Sequence, residues 1–258
     1  LTDNWKKANT EKILPIIAIP TTAGTGSEVG RAAVLTDTKN TIKKVIFHPK
    51  MLPESVICDP TLTFDLPKTI TAGTGMDALA HCLEAYCSPG YHPMADGIAL
   101  VGIKLVKENL LEAYKNGTNV TARTNMLSAA LMGATAFQKG LGAMHALSHP
   151  VGAIYNTHHG TTNAVVMEKV LKFNKEIIQK KIDHLAIYLE LEGGCEGFID
   201  FINQLCRDLN IPASLKEMGV REDQFHLISQ MAIKDPTASG NPKKMTFDNT
   251  LNLLQSCY

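Results

Sequence analysis

The feature that most constrains this chain is a change of texture near residues 60–67. Before it, residues 13–19 form a continuous apolar run of the kind found in buried strands, and residues 55–58 form a shorter one. Residues 32–35 and 45–47 lie between them, β-favouring and bounded by Asp, Asn, Lys and Pro, which predicts short strands joined by turns. From about Pro67 the pattern becomes long and amphipathic, predicting helices over 76–87, 95–114, 122–138, 162–173 and 197–209. Gly73, Gly117, Gly140, Gly193 and Gly219 are expected near the ends of these helices, and Pro89, Pro93, Pro212 and Pro236 in the connections. A sheet-like start followed by a helical remainder predicts two differently built layers, with a cleft at their junction as the natural place for an active site.

Composition narrows what such a chain can do. With 258 residues, 45% hydrophobic and 19% charged, it can bury a substantial core. Twenty-five basic residues balance twenty-five acidic ones, and no basic stripe is interleaved with aromatics, so a small molecule fits better as partner than a nucleic acid. The apolar runs are too short to span a bilayer and no charged leader precedes an apolar segment, which predicts a cytoplasmic protein with no membrane partner. Six cysteines without a Cys-x-x-Cys pair read as reduced, packed thiols. The glycosylation-like patterns at 116–118 and 119–121 read as a loop.

Chemistry concentrates at three places. Gly75-Met-Asp-Ala-Leu-Ala-His81 sets a carboxylate and an imidazole four residues apart on one helix face, where both could reach one metal ion, although this spacing alone favours an exposed ion pair or a satisfied core histidine. Residues 145–159 hold four of the nine histidines, His145, His149, His158 and His159, separated by apolar or small residues. Imidazoles against an apolar wall need partners or a metal, and carboxylate plus imidazole without thiolate suits Fe(II), Zn(II), Mn(II) or Ni(II). Thr21-Thr-Ala-Gly-Thr-Gly-Ser27-Glu28 follows an expected strand, and its glycines and hydroxyls can wrap the polar parts of a cofactor. Gly73-Thr-Gly75-Met-Asp-Ala78 fits the G-x-G-x-x-A dinucleotide pattern. It is set aside because no strand precedes it and Asp77 would oppose a pyrophosphate, so its glycines are expected to ease a helix start.

Together, the segments 19–28, 74–81, 140–150 and His159-Gly160, with Asp235-Pro-Thr-Ala-Ser-Gly-Asn-Pro242 further on, resemble the iron-containing (group III) alcohol dehydrogenases in order and spacing. The resemblance implies an α/β remnant of a nucleotide-binding domain over 1–66, followed by an all-helical metal-binding catalytic domain over 67–258, the dehydroquinate synthase-like or iron alcohol dehydrogenase fold. It implies Asp77, His81, His145 and His159 as metal ligands and His149 as a proton carrier. Thr21, Thr22, Thr25 and Lys43 are implied as contacts to NAD or NADP. The metal would be Fe(II), with Zn(II) the alternative. A homo-oligomer acting on a small alcohol or aldehyde is expected. The family's upstream Gly-Gly-Gly-Ser-type phosphate loop is not found, so the chain is expected to be a fragment of a longer enzyme.

Two other readings accompany this one: a zinc-dependent, glycerol-dehydrogenase-like polyol oxidiser, and a non-catalytic metal-binding or oligomerisation module. Phe137 and Lys139, just before the Gly140-Leu-Gly142 approach to His145, are candidates to border a substrate pocket. For Lys139, a solvated helix-end lysine is the favoured alternative.

Overall fold

A computed structural model describes residues 7–37 and 42–258. The strands all precede residue 60. β1 (Ile17–Ala18) pairs in parallel with β4 (Ser55–Val56). β2 (Ala32–Asp37) and β3 (Ile42–Phe47) form an antiparallel pair with Ala32 opposite Phe47 and Val34 opposite Val45. The apolar run at 13–19 is not a buried strand as its composition predicts. Only Ile17 and Ala18 pair, and Leu14, Ile17 and Ile19 are exposed by 76%, 65% and 52%, because among the described residues β4 is the one strand bonded to β1.

The helices follow in sequence: α1 (Lys68–Cys87), α2 (Pro93–Lys115), α3 (Val120–Ala136), α4 (Ala143–Tyr155), α5 (His159–Tyr188), α6 (Gly194–Asp208), α7 (Phe225–Ala232) and α8 (Phe247–Ser256). α1 is the centre of the molecule, flanked by α2, α3 and α5. It is buried from Thr71 to Cys87 except at Thr74, because Ala, Met, Leu and Cys occupy its whole circumference. Among the polar exceptions, Asp77, His81 and Glu84 fall at i, i+4 and i+7 on one face. This polar stripe is therefore not a solvent face but a buried one.

α5 runs well beyond the predicted end at 173. Asn174, Ile178, Ile182 and Leu185 continue its buried seam at helical spacing, and α6 packs against it with Phe198, Ile199, Ile202 and Leu205. Each of the Leu, Ile and Phe side chains contributes about 1.5–3 kcal/mol on burial, so this helix pair anchors the far end of the domain. Asn119 caps α3 rather than sitting in a plain loop, its side chain accepting the Ala122 N–H. No helix among the described residues is long and apolar enough to cross a membrane.

Candidate metal centre

The buried stripe on α1 meets α4 and α5 because α5 starts very close to it. A Cβ on Gly160 would run into the Gly73 carbonyl oxygen and lie 2.8 Å from the Asp77 Cβ, so only a glycine lets His159, the first residue of α5, come down beside Asp77. Gly73 is thus not a helix-end glycine as predicted. It sits inside α1, where a Cβ would strike the His158 ring. On the opposite flank a Cβ on Gly133 of α3 would lie 2.9 Å from the His81 Cβ.

The result is one carboxylate oxygen facing three imidazole nitrogens. Asp77 Oδ1 lies 3.8 Å from His81 Nε2, 3.9 Å from His145 Nε2 and 3.6 Å from His159 Nε2. These separations are too long for hydrogen bonds. They lie close to the edge of a tetrahedron with ~2.0–2.2 Å metal–ligand bonds, roughly 3.3–3.6 Å. Ligand atoms of Asp77, His81 and His145 all fall within 4.8 Å of one another. The rings of His81 and His145 stack at 4.8 Å and 16°, and those of His149 and His159 at 5.3 Å and 12°. Buried His81 Nδ1 and Asn163 Oδ1 have no hydrogen-bond partner. The donor set and its spacing fit a divalent ion.

Protonation states agree with that use. Burial pushes His81 down to about 4 and His159 down to about 3, with Asp77 opposing in both cases. For Asp77, burial would raise the carboxyl, but His81, His159 and His145 and the hydrogen bond from Asn163 hold it below its usual range. An ionised aspartate beside neutral imidazoles is the form a metal requires. His145 differs: burial opposes protonation, but Glu84 and Asp77 outweigh it and raise the ring above its ordinary value.

His149, one turn beyond His145, does not join the carboxylate group. Its Nδ1 lies 2.8 Å from Asp235 Oδ2, and its side chain is 31% exposed, placing it between the buried cluster and solvent. Asp235 is held below its usual range because its bond and charge interaction with His149, together with Thr237, outweigh burial. His158, the fourth histidine of the dense stretch, is exposed and caps α5. Phe137 packs against His81 with ring centroids 4.9 Å apart. Lys139 is neither solvated nor free to meet an anion, since its side chain is 2% exposed and its ammonium lies 2.6 Å from Asp96 Oδ1.

The Thr21–Glu28 loop follows β1 and rests on the helical core, because a Cβ on Gly24 would lie 2.8 Å from the Thr74 Cβ of α1, and one on Gly26 would meet Ala130 of α3. Thr21 and Thr25 are exposed and Thr22 is half-buried. The backbone of Lys43 belongs to β3, while its side chain lies outside the described residues. Three participants escaped the sequence reading. Glu84 bonds His145, Asn163 donates to Asp77 Oδ1 at 2.9 Å, and Asp235 bonds His149. Spacing carried a signal for two of them: Glu84 is seven residues after Asp77, and Asn163 is four after His159.

Comparison with known proteins identifies the family. Residues 71–258 match the sequence profile of the Fe-containing alcohol dehydrogenase family, C-terminal, and residues 1–60 match that of iron-containing alcohol dehydrogenase. The 4-hydroxybutyrate dehydrogenase of Cupriavidus necator is 40% identical over 256 residues, 95% of this chain and 66% of that protein. The 1,3-propanediol dehydrogenase of Citrobacter freundii is 40% identical over 243 residues, 91% of this chain and 63% of that protein. The chain thus spans slightly less than two thirds of the length of these curated relatives. Among solved structures, a 1,3-propanediol oxidoreductase superposes with a TM-score of 0.91 at 37% identity, covering 95% of this chain and 66% of that one. A sulfoacetaldehyde reductase from Bifidobacterium kashiwanohense, solved with NAD+, superposes with a TM-score of 0.88 at 31% identity, covering 95% of this chain and 65% of that one. The chain belongs to the iron-containing alcohol dehydrogenase family.

Proposed function

We propose that the protein transfers a hydride between NAD(P) and a small alcohol or aldehyde, with a divalent metal held by Asp77, His81, His145 and His159. One observation carries the reading: Asp77 Oδ1 faces three imidazole Nε2 atoms at 3.6–3.9 Å in a buried site. One carboxylate and three imidazoles accept Fe(II) and Zn(II) alike, and the family match favours Fe(II). Relatives named as dehydrogenases of 4-hydroxybutyrate and 1,3-propanediol support a small alcohol substrate.

A metal held by Asp77, His81, His145 and His159 would supply Lewis acidity toward the substrate oxygen, and a bound NAD(P) would supply the hydride-transfer chemistry. The chain's own groups do the rest. Asp235 holds His149 Nδ1, which leaves the other ring nitrogen to take the hydroxyl proton and pass it to solvent. Phe137, against His81, helps keep water from the cluster. Thr21, Thr22, Thr25 and Lys43 contact the cofactor, in keeping with the seating of their loop directly on α1 and α3. Residues 1–66 form the C-terminal part of the nucleotide-binding domain and residues 67–258 the helical catalytic domain. The profile matches to 1–60 and 71–258 and the parallel β1–β4 pair support this division.

The test is reconstitution. The protein, expressed with any coding sequence upstream of residue 1, is stripped of metal, reloaded anaerobically with Fe(II) or Zn(II) and assayed with NAD+ and NADP+ against a panel of small alcohols, with cofactor binding titrated separately. Cofactor reduction that appears only after metal loading is expected. Tight metal binding with no cofactor binding and no turnover would replace this reading with a metal-binding module.

A further inference from the structure

We infer that Glu84 is the positioning residue for the metal centre, setting both the proton and the place of His145. The inference rests on the metal reading above. Glu84 continues the buried stripe of Asp77 and His81 but turns its carboxylate to α4, where Oε2 lies 2.6 Å from His145 Nδ1 and Oε1 lies 2.6 Å from the Met144 backbone nitrogen. A backbone N–H only donates and a carboxylate only accepts, so the Nδ1 of His145 is the donor. With its proton fixed at Nδ1, the neutral ring presents a bare Nε2 toward Asp77 Oδ1. This is the arrangement in which a carboxylate behind a histidine orients it and raises its basicity as a ligand.

The second bond fixes position. Gly142, which precedes α4, offers no side-chain cap, so the helix's first amides need acceptors from elsewhere. Asn241 Oδ1 accepts the Ala143 N–H at 3.1 Å, and Glu84 Oε1 accepts that of Met144. A Cβ on Gly142 would stand 2.9 Å from that Asn241 oxygen and 3.1 Å from Glu84 Oε1, so a glycine is what leaves room for both. The anionic carboxylate also sits where a helix N-terminus favours negative charge. One side chain therefore holds the ring of His145 and the backbone just before it.

Glu84→Gln tests this. The amide keeps the shape, but its oxygen can accept only one of the two donors, and its NH2 would drive the ring proton to Nε2. Zn(II) affinity is measured by chelator competition, together with the unfolding midpoint of the metal-free protein. The tautomer of His145 is read by 15N NMR in metal-free and Zn(II)-loaded protein. The expected result is a Zn(II) affinity about 10–100-fold weaker in a variant that still folds, and an Nδ1–H on His145 in the wild type. Unchanged affinity with a folded variant would overturn the inference. If the variant does not fold, the wild-type spectrum decides: Nδ1–H supports the inference, and a bare Nδ1 overturns it. A wild type that binds no Zn(II) would instead overturn the metal centre, and the metal-free spectrum would still decide whether Glu84 holds the Nδ1 proton.

Discussion

Glu28 shows what burial does to a single charge in this chain. It is 5% exposed, its Oε1 makes no hydrogen bond, and burial raises its carboxyl above the ordinary value, a bond to its own backbone opposing. A raised carboxyl favours the folded state below the unfolded value of 4.5, and that contribution is lost as pH rises through the folded value. Above the folded value the fold therefore carries a buried charge whose Oε1 has no hydrogen-bond partner. Glu28→Gln removes the charge and keeps the shape, so at pH values above the folded value it should stabilise the protein by about 1 kcal/mol. The gain should shrink toward zero near the unfolded value. Denaturant unfolding in both pH ranges checks this, and a variant less stable above the folded value would show that Glu28 has a partner worth more than its burial costs. Nothing in the sequence marks Glu28 as buried, because a Glu after Gly-Thr-Gly-Ser reads as a loop residue. The histidines were more legible. Their density at 145–159 pointed to a shared environment, and the structure brings His145, His149 and His159 together while leaving His158 at the surface.

At the level of elements, the meeting of α1, α4 and α5 depends on places where a side chain is missing. Gly160→Ala would force α5 away from the Gly73 carbonyl and the Asp77 side chain. It should cost about 1–3 kcal/mol as overpacking and draw His159 off the cluster. Urea unfolding of metal-free protein would read the first effect and metal titration the second. An alanine variant with wild-type stability and metal affinity would show that α5 does not need this close approach. The long helices α2 and α3, rich in apolar and helix-favouring residues, were readable from the sequence nearly to their ends, whereas three others were not. α4 has a glycine start and Pro150 inside it, and α7 and α8 are short. In α4 local propensity is overridden from outside, by Glu84 and Asn241 bonding its first amides. Long-range contacts of this kind leave no periodic trace.

Over the whole molecule, a buried polar stripe on a central helix is completed by residues from two other helices and flanked by a glycine-rich loop from the strand region. The change of texture near 60–67 and the spacing within each motif made this layout legible. What escaped was the support behind the histidines, since Glu84 and Asp235 lie 61 and 86 residues from their imidazole partners. The central claim, that Asp77, His81, His145 and His159 hold a metal while His149 moves a proton, is tested most directly by measuring metal content and turnover together in His145→Ala and His149→Ala. About one ion per chain is expected in the wild type. His145→Ala should lose both metal and activity. His149→Ala should keep near-normal metal with turnover slowed by about 10²–10⁴. A His145→Ala protein that keeps its metal, or a His149→Ala protein that loses it, would contradict the assignment.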